Sequence, residues 1–219
     1  MSVLRPSGTR VAILGAGRVG SALGRVMVDG GYEVSVAASG DPAGLELIAS
    51  IVMPGVTPRW AAEAAADADL VVLAIPLHRF ATLDPALVAG KIVIDNMNYW
   101  APTDGVQSLF EDSALSSSEI VQRHLPAATV VKTFNHIGYH ELEEDRRLVG
   151  AHDRRALGVA GDDPSAVQLV AAVVDRLGYD PVTFDTLRAG RTFEPGGPVF
   201  GVSLGRHELG RAVRARAVA

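Results

Sequence analysis

No cysteine occurs anywhere in the 219 residues. That absence excludes a disulfide scaffold, a thiolate zinc site and a cysteine nucleophile together. Lysine is scarce: only Lys91 and Lys132 stand beside 18 arginines, a bias of coding rather than of chemistry. Positive charge is not in excess, since 20 basic residues face 25 acidic ones for a net −5, so nucleic acid is not an expected partner. No apolar run approaches the roughly 20 residues of a membrane span. The stretch 11–17 is apolar but ends in glycines and not in a cleavage site, so the expected location is the cytoplasm, away from membranes.

What is present reads as a folded chain, 48% hydrophobic and 21% charged. Short β-branched runs alternate with alanine-rich helical patterns from end to end. Strands are expected at 10–14 (RVAIL), 33–37 (EVSVA), briefly near Val56, at 70–75 (LVVLAI) and at 91–95 (KIVID). Further strands are expected at 129–134, 157–160 and 181–184. Helices are expected at 18–28, from Asp41-Pro42 onward, at 60–66, 116–123 and 165–177. Ser116 and Glu119 have the spacing of a capping box. Apolar strands alternating with helices imply an α/β fold, a doubly wound, mostly parallel sheet of about eight strands covered on both faces. Residues 1–184 form the expected dinucleotide-binding domain, and 185–219 a short C-terminal extension packing on it. The polar segment 99–113 is a candidate lid or dimer contact.

The chemistry-bearing motif is Gly15-Ala16-Gly17-Arg18-Val19-Gly20, a G-x-G-x-x-G loop directly after an apolar strand and opening a helix. The first glycine permits the tight turn, the second lets backbone approach a pyrophosphate, and the third allows close helix–strand packing. The helix N-terminus adds unpaired N–H groups and a positive dipole end. This context makes the loop an NAD(P)-binding Rossmann site. An NAD site places Asp or Glu at the end of the second strand. Here Ala37-Ala38-Ser39-Gly40 stands there, with no carboxylate before Asp41. Ser39 can donate to a 2′-phosphate and Arg18 can reach over it, so NADP is favoured over NAD, although no arginine directly follows the strand.

The chain resembles the F420-dependent NADP reductases over nearly its full length. The resemblance rests on the glycine loop, on Ala74-Ile75-Pro76, on Lys91-Ile92-Val93-Ile94-Asp95 and on Ser118-Glu119-Ile120-Val121. Val130-Val131-Lys132-Thr133-Phe134-Asn135 and Ala160-Gly161-Asp162-Asp163 complete it. It implies an NADP(H)-dependent oxidoreductase exchanging hydride with coenzyme F420 or a similar acceptor, and a homodimer. By this resemblance Ile75 and Pro76 lie by the nicotinamide ribose, and Asn96, Met97 and Asn98 border the nicotinamide. Asn135 falls where the family often has a histidine near the deazaflavin. The family's basic residues for the 2′-phosphate are Ser39 and Gly40 here, and the part after Glu194-Pro195 is short.

Other candidates complete the site. Leu77 and His78 follow the fourth strand beside the cofactor, and His136 and Gly138 join Asn135 as acceptor contacts. His136 and His140, with Glu141, Glu143 and Glu144, lack H-E-x-x-H, so no metal is expected. Tyr99 and Trp100 can wall a planar ligand or cap the core, and Arg188 and Arg191 can hold an anionic tail. No catalytic side chain is expected, because hydride transfer between rings needs positioning and no protein nucleophile. No tyrosine has lysine four residues on, against a short-chain dehydrogenase. The 35 residues after Phe184 are too few for the helical domain of hydroxyacid dehydrogenases. A non-catalytic NADP(H)-binding redox sensor is the alternative from another class.

Overall fold

The computed structural model describes residues 8–111 and 113–217. Eight strands form one sheet: β1 (Arg10–Leu14), β2 (Glu33–Ala37), β3 (Thr57–Pro58), β4 (Leu70–Leu73), β5 (Ile92–Asp95), β6 (Thr129–Lys132), β7 (Ala156–Gly161) and β8 (Asp180–Phe184). Their order is β3-β2-β1-β4-β5-β6-β7-β8. The chain reverses its direction of winding between β1 and β4, where Leu14 pairs in register with Leu73 on one side and Ala37 on the other. A ligand crevice is expected there, beyond the carboxyl ends of the strands.

Alternation along β1 explains the two main layers. Val11 and Ile13 face one side of the sheet, where α1 (Arg18–Asp29) buries Ala22, Leu23, Val26 and Met27. α8 (Pro164–Arg176) buries Val167, Val170 and Val174 in the same layer. Ala12 and Leu14 face the other side, against α3 (Ala61–Asp67), α6 (Ser117–His124) and the 3₁₀ turns Leu77–Thr82 and Pro85–Val88. The remaining helix of the first half, α2 (Ala43–Val52), buries only Ala49. The expected capping box opens α6: Ser116 Oγ accepts from Glu119 N–H, and Glu119 accepts from Ser116 N–H at 2.7 Å. The C-terminal part adds a third cluster. Phe193, Val199 and, from α9 (Arg206–Ala217), Leu209 and Val213 pack on Ala156 and Ala160 of β7. Among the described residues no helix is long and apolar enough to cross a membrane.

Several boundaries differ from the sequence expectation. β4 ends at Leu73, two residues early, because the backbone of Ala74 turns into contact with Gly15. β6 ends at Lys132, because Phe134 takes φ 61° and cannot continue a strand. Asp41 accepts from Ala43 N–H at 2.9 Å, placing Pro42 at the cap and Ala43 as the first helical residue of α2. β7 runs antiparallel to β6, joined over only two pairs, while β8 is parallel to β7. The segment 99–113 is not open loop: α4 (Ala101–Asp104) and α5 (Ser108–Glu111) lie in it, and Tyr99 stacks on Phe110 at 5.3 Å.

Two arginines, buried at the start of β7, tie its flank together. Arg155 meets Glu141, in the short helix α7 (Glu141–Glu144), and Asp145, each at 2.7 Å. Arg154 meets Asp175 at 2.7 Å and Asp180 at 3.1 Å. In mid-strand, Gly158 leaves the space that the Phe193 ring fills, since a Cβ there would stand 2.3 Å from Phe193 Cζ. Gly158→Ala is therefore expected to cost about 1–3 kcal/mol through overpacking. Urea titration will read this as a lower midpoint at unchanged slope.

Candidate functional site

The glycine loop sits at the winding reversal, and its three glycines are constrained differently. Gly15 has φ 125°, and a Cβ on it would lie 2.4 Å from Ala74 O. A Cβ on Gly20 would lie 1.9 Å from Gly15 O. Backbone is thus pressed on backbone, and the fold itself demands both residues. Gly17 caps α1 with φ −76°, which any residue adopts, and a Cβ there meets nothing within 4 Å. Nothing in the protein requires glycine at 17, so the free space above it is where a ligand would approach. The N-terminus of α1 has no side-chain cap and no acidic residue in its first turn, so its N–H groups face that space.

The other predicted cofactor contacts fall around this loop unequally. Ser39 and Gly40 are exposed beyond β2. The carboxylate of Asp41 is turned onto Ala43 N–H, capping α2. The Arg18 guanidinium stands 5.9 Å from the centre of the Tyr139 ring, on the side where α1 meets the segment after β6. Ile75 is half-buried and Pro76 exposed at the end of β4, beside the loop. Leu77 points into the core and is fully buried. His78 Nδ1 lies 2.6 Å from Asp104 Oδ1, and Asp104 Oδ2 accepts from Trp100 N–H at 2.7 Å. This contact joins the turn after β4 to the 99–113 segment. The Tyr99 hydroxyl is turned into that segment, on Gly105 O and Glu111, while Trp100 stays exposed.

Beneath the ends of β5 and β6 lies a network the sequence reading did not single out. Lys132 and Asp95 are fully buried and paired at 3.2 Å. Ser118 Oγ donates to Asp95 Oδ2 at 2.6 Å. Met97 is held at both backbone groups: its N–H donates to Asp95 Oδ1 at 2.9 Å, and its carbonyl accepts from Lys132 Nζ. Apolar strand patterning hides such a pair, since Lys132 occupies a strand position like its apolar neighbours.

Above this network a cleft of about 240 Å³ opens. Val19 of α1, Asn96 and Asn98 after β5, and Phe134, Asn135, Gly138 and Tyr139 after β6 line it. Phe200 and Gly201, from the C-terminal segment, complete the wall. Gly201 N–H donates to His136 O at 3.0 Å, which brings Phe200 across. Asn98 and Asn135 exchange two hydrogen bonds, Asn98 Nδ2 to Asn135 O at 2.6 Å and Asn135 Nδ2 to Asn98 Oδ1 at 2.9 Å. Asn96 Oδ1 and Thr133 Oγ1 are buried without a partner, an unusual cost in a protein interior. Phe134, at φ 61°, is the one described non-glycine residue at positive φ, and such strain collects at functional sites. No group of three or more His, Asp or Glu among the described residues can hold a metal.

His136 belongs to the frame of this cleft. Its Nε2 accepts from Gly158 N–H at 3.0 Å and its Nδ1 lies 3.2 Å from Asn135 Oδ1, so neither ring nitrogen is left for a substrate. Burial, with the charges of Arg155 and Lys132 nearby, pushes its pKa from 6.5 down to about 3. The unfolded chain therefore binds one more proton than the native protein between these values, and stability falls as pH drops through 6.5 toward 3. The expected loss from this residue between pH 7 and pH 5 is about 2 kcal/mol. His136→Gln, which has no proton to gain, should flatten the stability profile over that range in denaturation experiments.

The family described as coenzyme F420-dependent NADP oxidoreductases matches residues 10–99. No curated protein matches the chain. A hypothetical protein from Sinorhizobium meliloti is 30% identical with a TM-score of 0.78, covering 90% of this chain and 95% of its own. A candidate F420-dependent NADP reductase from an Arthrobacter species is 26% identical with a TM-score of 0.73, covering 91% of this chain and 100% of its own. An imine reductase from Pseudomonas, 19% identical with a TM-score of 0.59, covers 84% of this chain and 59% of its own, a likeness of fold alone. With the glycine loop at the winding reversal, residues 10–99 belong to the family of coenzyme F420-dependent NADP oxidoreductases, and the whole chain shares the fold of the Sinorhizobium and Arthrobacter proteins.

Proposed function

We propose that the protein transfers hydride between NADP(H) and coenzyme F420 or a similar deazaflavin or flavin acceptor. The observation that carries the dinucleotide part is Gly17, a glycine the fold does not need at the uncapped start of α1. Its bare backbone admits a pyrophosphate to the N–H groups of the helix. Past β2, the absence of a carboxylate from Ala37 to Gly40, with Asp41 committed to α2, favours a 2′-phosphorylated dinucleotide. Bound there, a nicotinamide supplies or accepts the hydride itself.

The protein's own residues bind, orient and exclude water. Val19, Tyr139 and Phe200 offer apolar and aromatic surface to a planar ring. Asn96 and Asn98 bring amides to the same cleft. His136 is held neutral with both ring nitrogens engaged, and Glu141 is paired with Arg155. An acceptor ring that takes hydride at carbon, with no protein nucleophile, fits this lining.

Mixing the protein with NADPH and oxidised coenzyme F420 is expected to bleach the oxidised deazaflavin band, with NADH and free flavin as comparisons. Tight NADPH binding without turnover on any acceptor would replace this reading by a redox-sensing one. Gly17→Val is expected to abolish NADPH binding in calorimetry while leaving the fold intact, because the new side chain meets nothing in the protein and fills the ligand's space. Undiminished affinity would refute the loop assignment.

A further inference from the structure

We propose that Lys132 and Asp95 are positioning residues that hold Asn96 and Asn98 against the nicotinamide half of the bound dinucleotide. The proposal rests on the dinucleotide reading and extends it to residues that touch no ligand. Strands β1 to β3 and the glycine loop form the first mononucleotide half of the sheet, so the second half of the ligand extends over β4 to β6. Asn96, Met97 and Asn98 leave β5 at that place. A chain leaving a strand has lost its ladder partners and is free to drift. Here Met97 is clamped from both sides, its N–H by Asp95 and its carbonyl by Lys132.

The clamp is built from charges where apolar packing would have been cheaper. Lys132 and Asp95 are both fully buried, and burying an ion pair rarely stabilises a fold more than well-packed apolar groups do. What the pair provides is direction: Ser118 fixes Asp95, Asp95 fixes Lys132, and both fix Met97. The side chains on either side of Met97 face the cleft. Asn96 Oδ1 is buried there with no partner in the protein, while Asn98 is held by Asn135. Asn98 is part-exposed in the cleft and keeps a second Nδ2 hydrogen and a second Oδ1 lone pair for a primary amide, the group a nicotinamide carries.

The test compares two ligands that differ by the nicotinamide half: NADPH and 2′,5′-ADP. The double variant Asp95→Asn, Lys132→Met removes both charges and strands neither, and the amide oxygen introduced by the first substitution can still accept from Met97 N–H. Calorimetry is expected to show NADPH binding about tenfold weaker, the loss of one charge-assisted contact's worth of order, with 2′,5′-ADP unchanged within about twofold. A purely structural role would weaken both ligands alike. Equal losses, or no loss for either, would overturn the proposal while the wild type's NADPH binding stands. A wild type that binds no NADPH would overturn the dinucleotide reading and this proposal with it. If the double variant does not fold, Ser118→Ala loosens Asp95 alone and should show the same selectivity at about two- to threefold.

Discussion

Between Gly20 and the carbonyl of Gly15 there is no room for a single side-chain atom. That approach seats the first turn of α1 directly on the end of β1, while Gly15 rests on the backbone of Ala74 beyond β4. Three segments therefore meet backbone to backbone at the point where the sheet reverses its winding. Side chains cannot mediate such contacts, because any Cβ would hold the segments apart. The crevice, the orientation of the α1 N–H groups and the reach toward β4 all follow from this closeness. Gly17, in the same loop, is free of it, and this contrast separates what the fold needs from what a ligand needs.

The cleft beyond β5 and β6 is built on the opposite logic. There polar groups hold the chain as it leaves β5 and β6. Asp95, Lys132 and Ser118 lie under the asparagines, and His136 braces Gly158 from the side. Buried polar groups are costly unless each finds a partner, and nearly all of these do. The exceptions, Asn96 Oδ1 and Thr133 Oγ1, fall next to the cleft and next to the strained Phe134. The other unpartnered buried atoms among the described residues, Arg154 Nε and Arg155 Nε, lie at the start of β7 on side chains otherwise engaged by carboxylates.

Much of the architecture was legible in the chain. The apolar runs marked the central strands, because a strand covered on both faces has to be apolar throughout, whereas the edge strand β3 is only Thr57–Pro58, just past the Val56 expected to mark it. The capping box at Ser116 and Glu119 marked a helix start through a local hydrogen-bond exchange that needs no tertiary context. The glycine loop was equally plain, since the glycine spacing, the strand before it and the helix after it are local properties. The cleft was not. Phe200 enters the cleft only because Gly201 bonds to the backbone of His136, a pairing of residues far apart in sequence. Asp104 meets His78, and Lys132 meets Asp95, for the same reason.

Sequence by itself determined the alternation of strands and helices, the mostly parallel sheet and the glycine loop between β1 and α1. Each of these depends on periodicity or on contacts a few residues apart. Only the tertiary structure decided the direction of β7, the identity of the residues walling the cleft and the roles of the buried polar groups. β7 is buried along its whole length, so its residues carry no mark of which way it runs. Likewise a histidine reads the same in sequence whether its nitrogens face a ligand or a backbone amide. At His136 the neighbouring elements made that choice, by packing Gly158 against one nitrogen and Asn135 against the other.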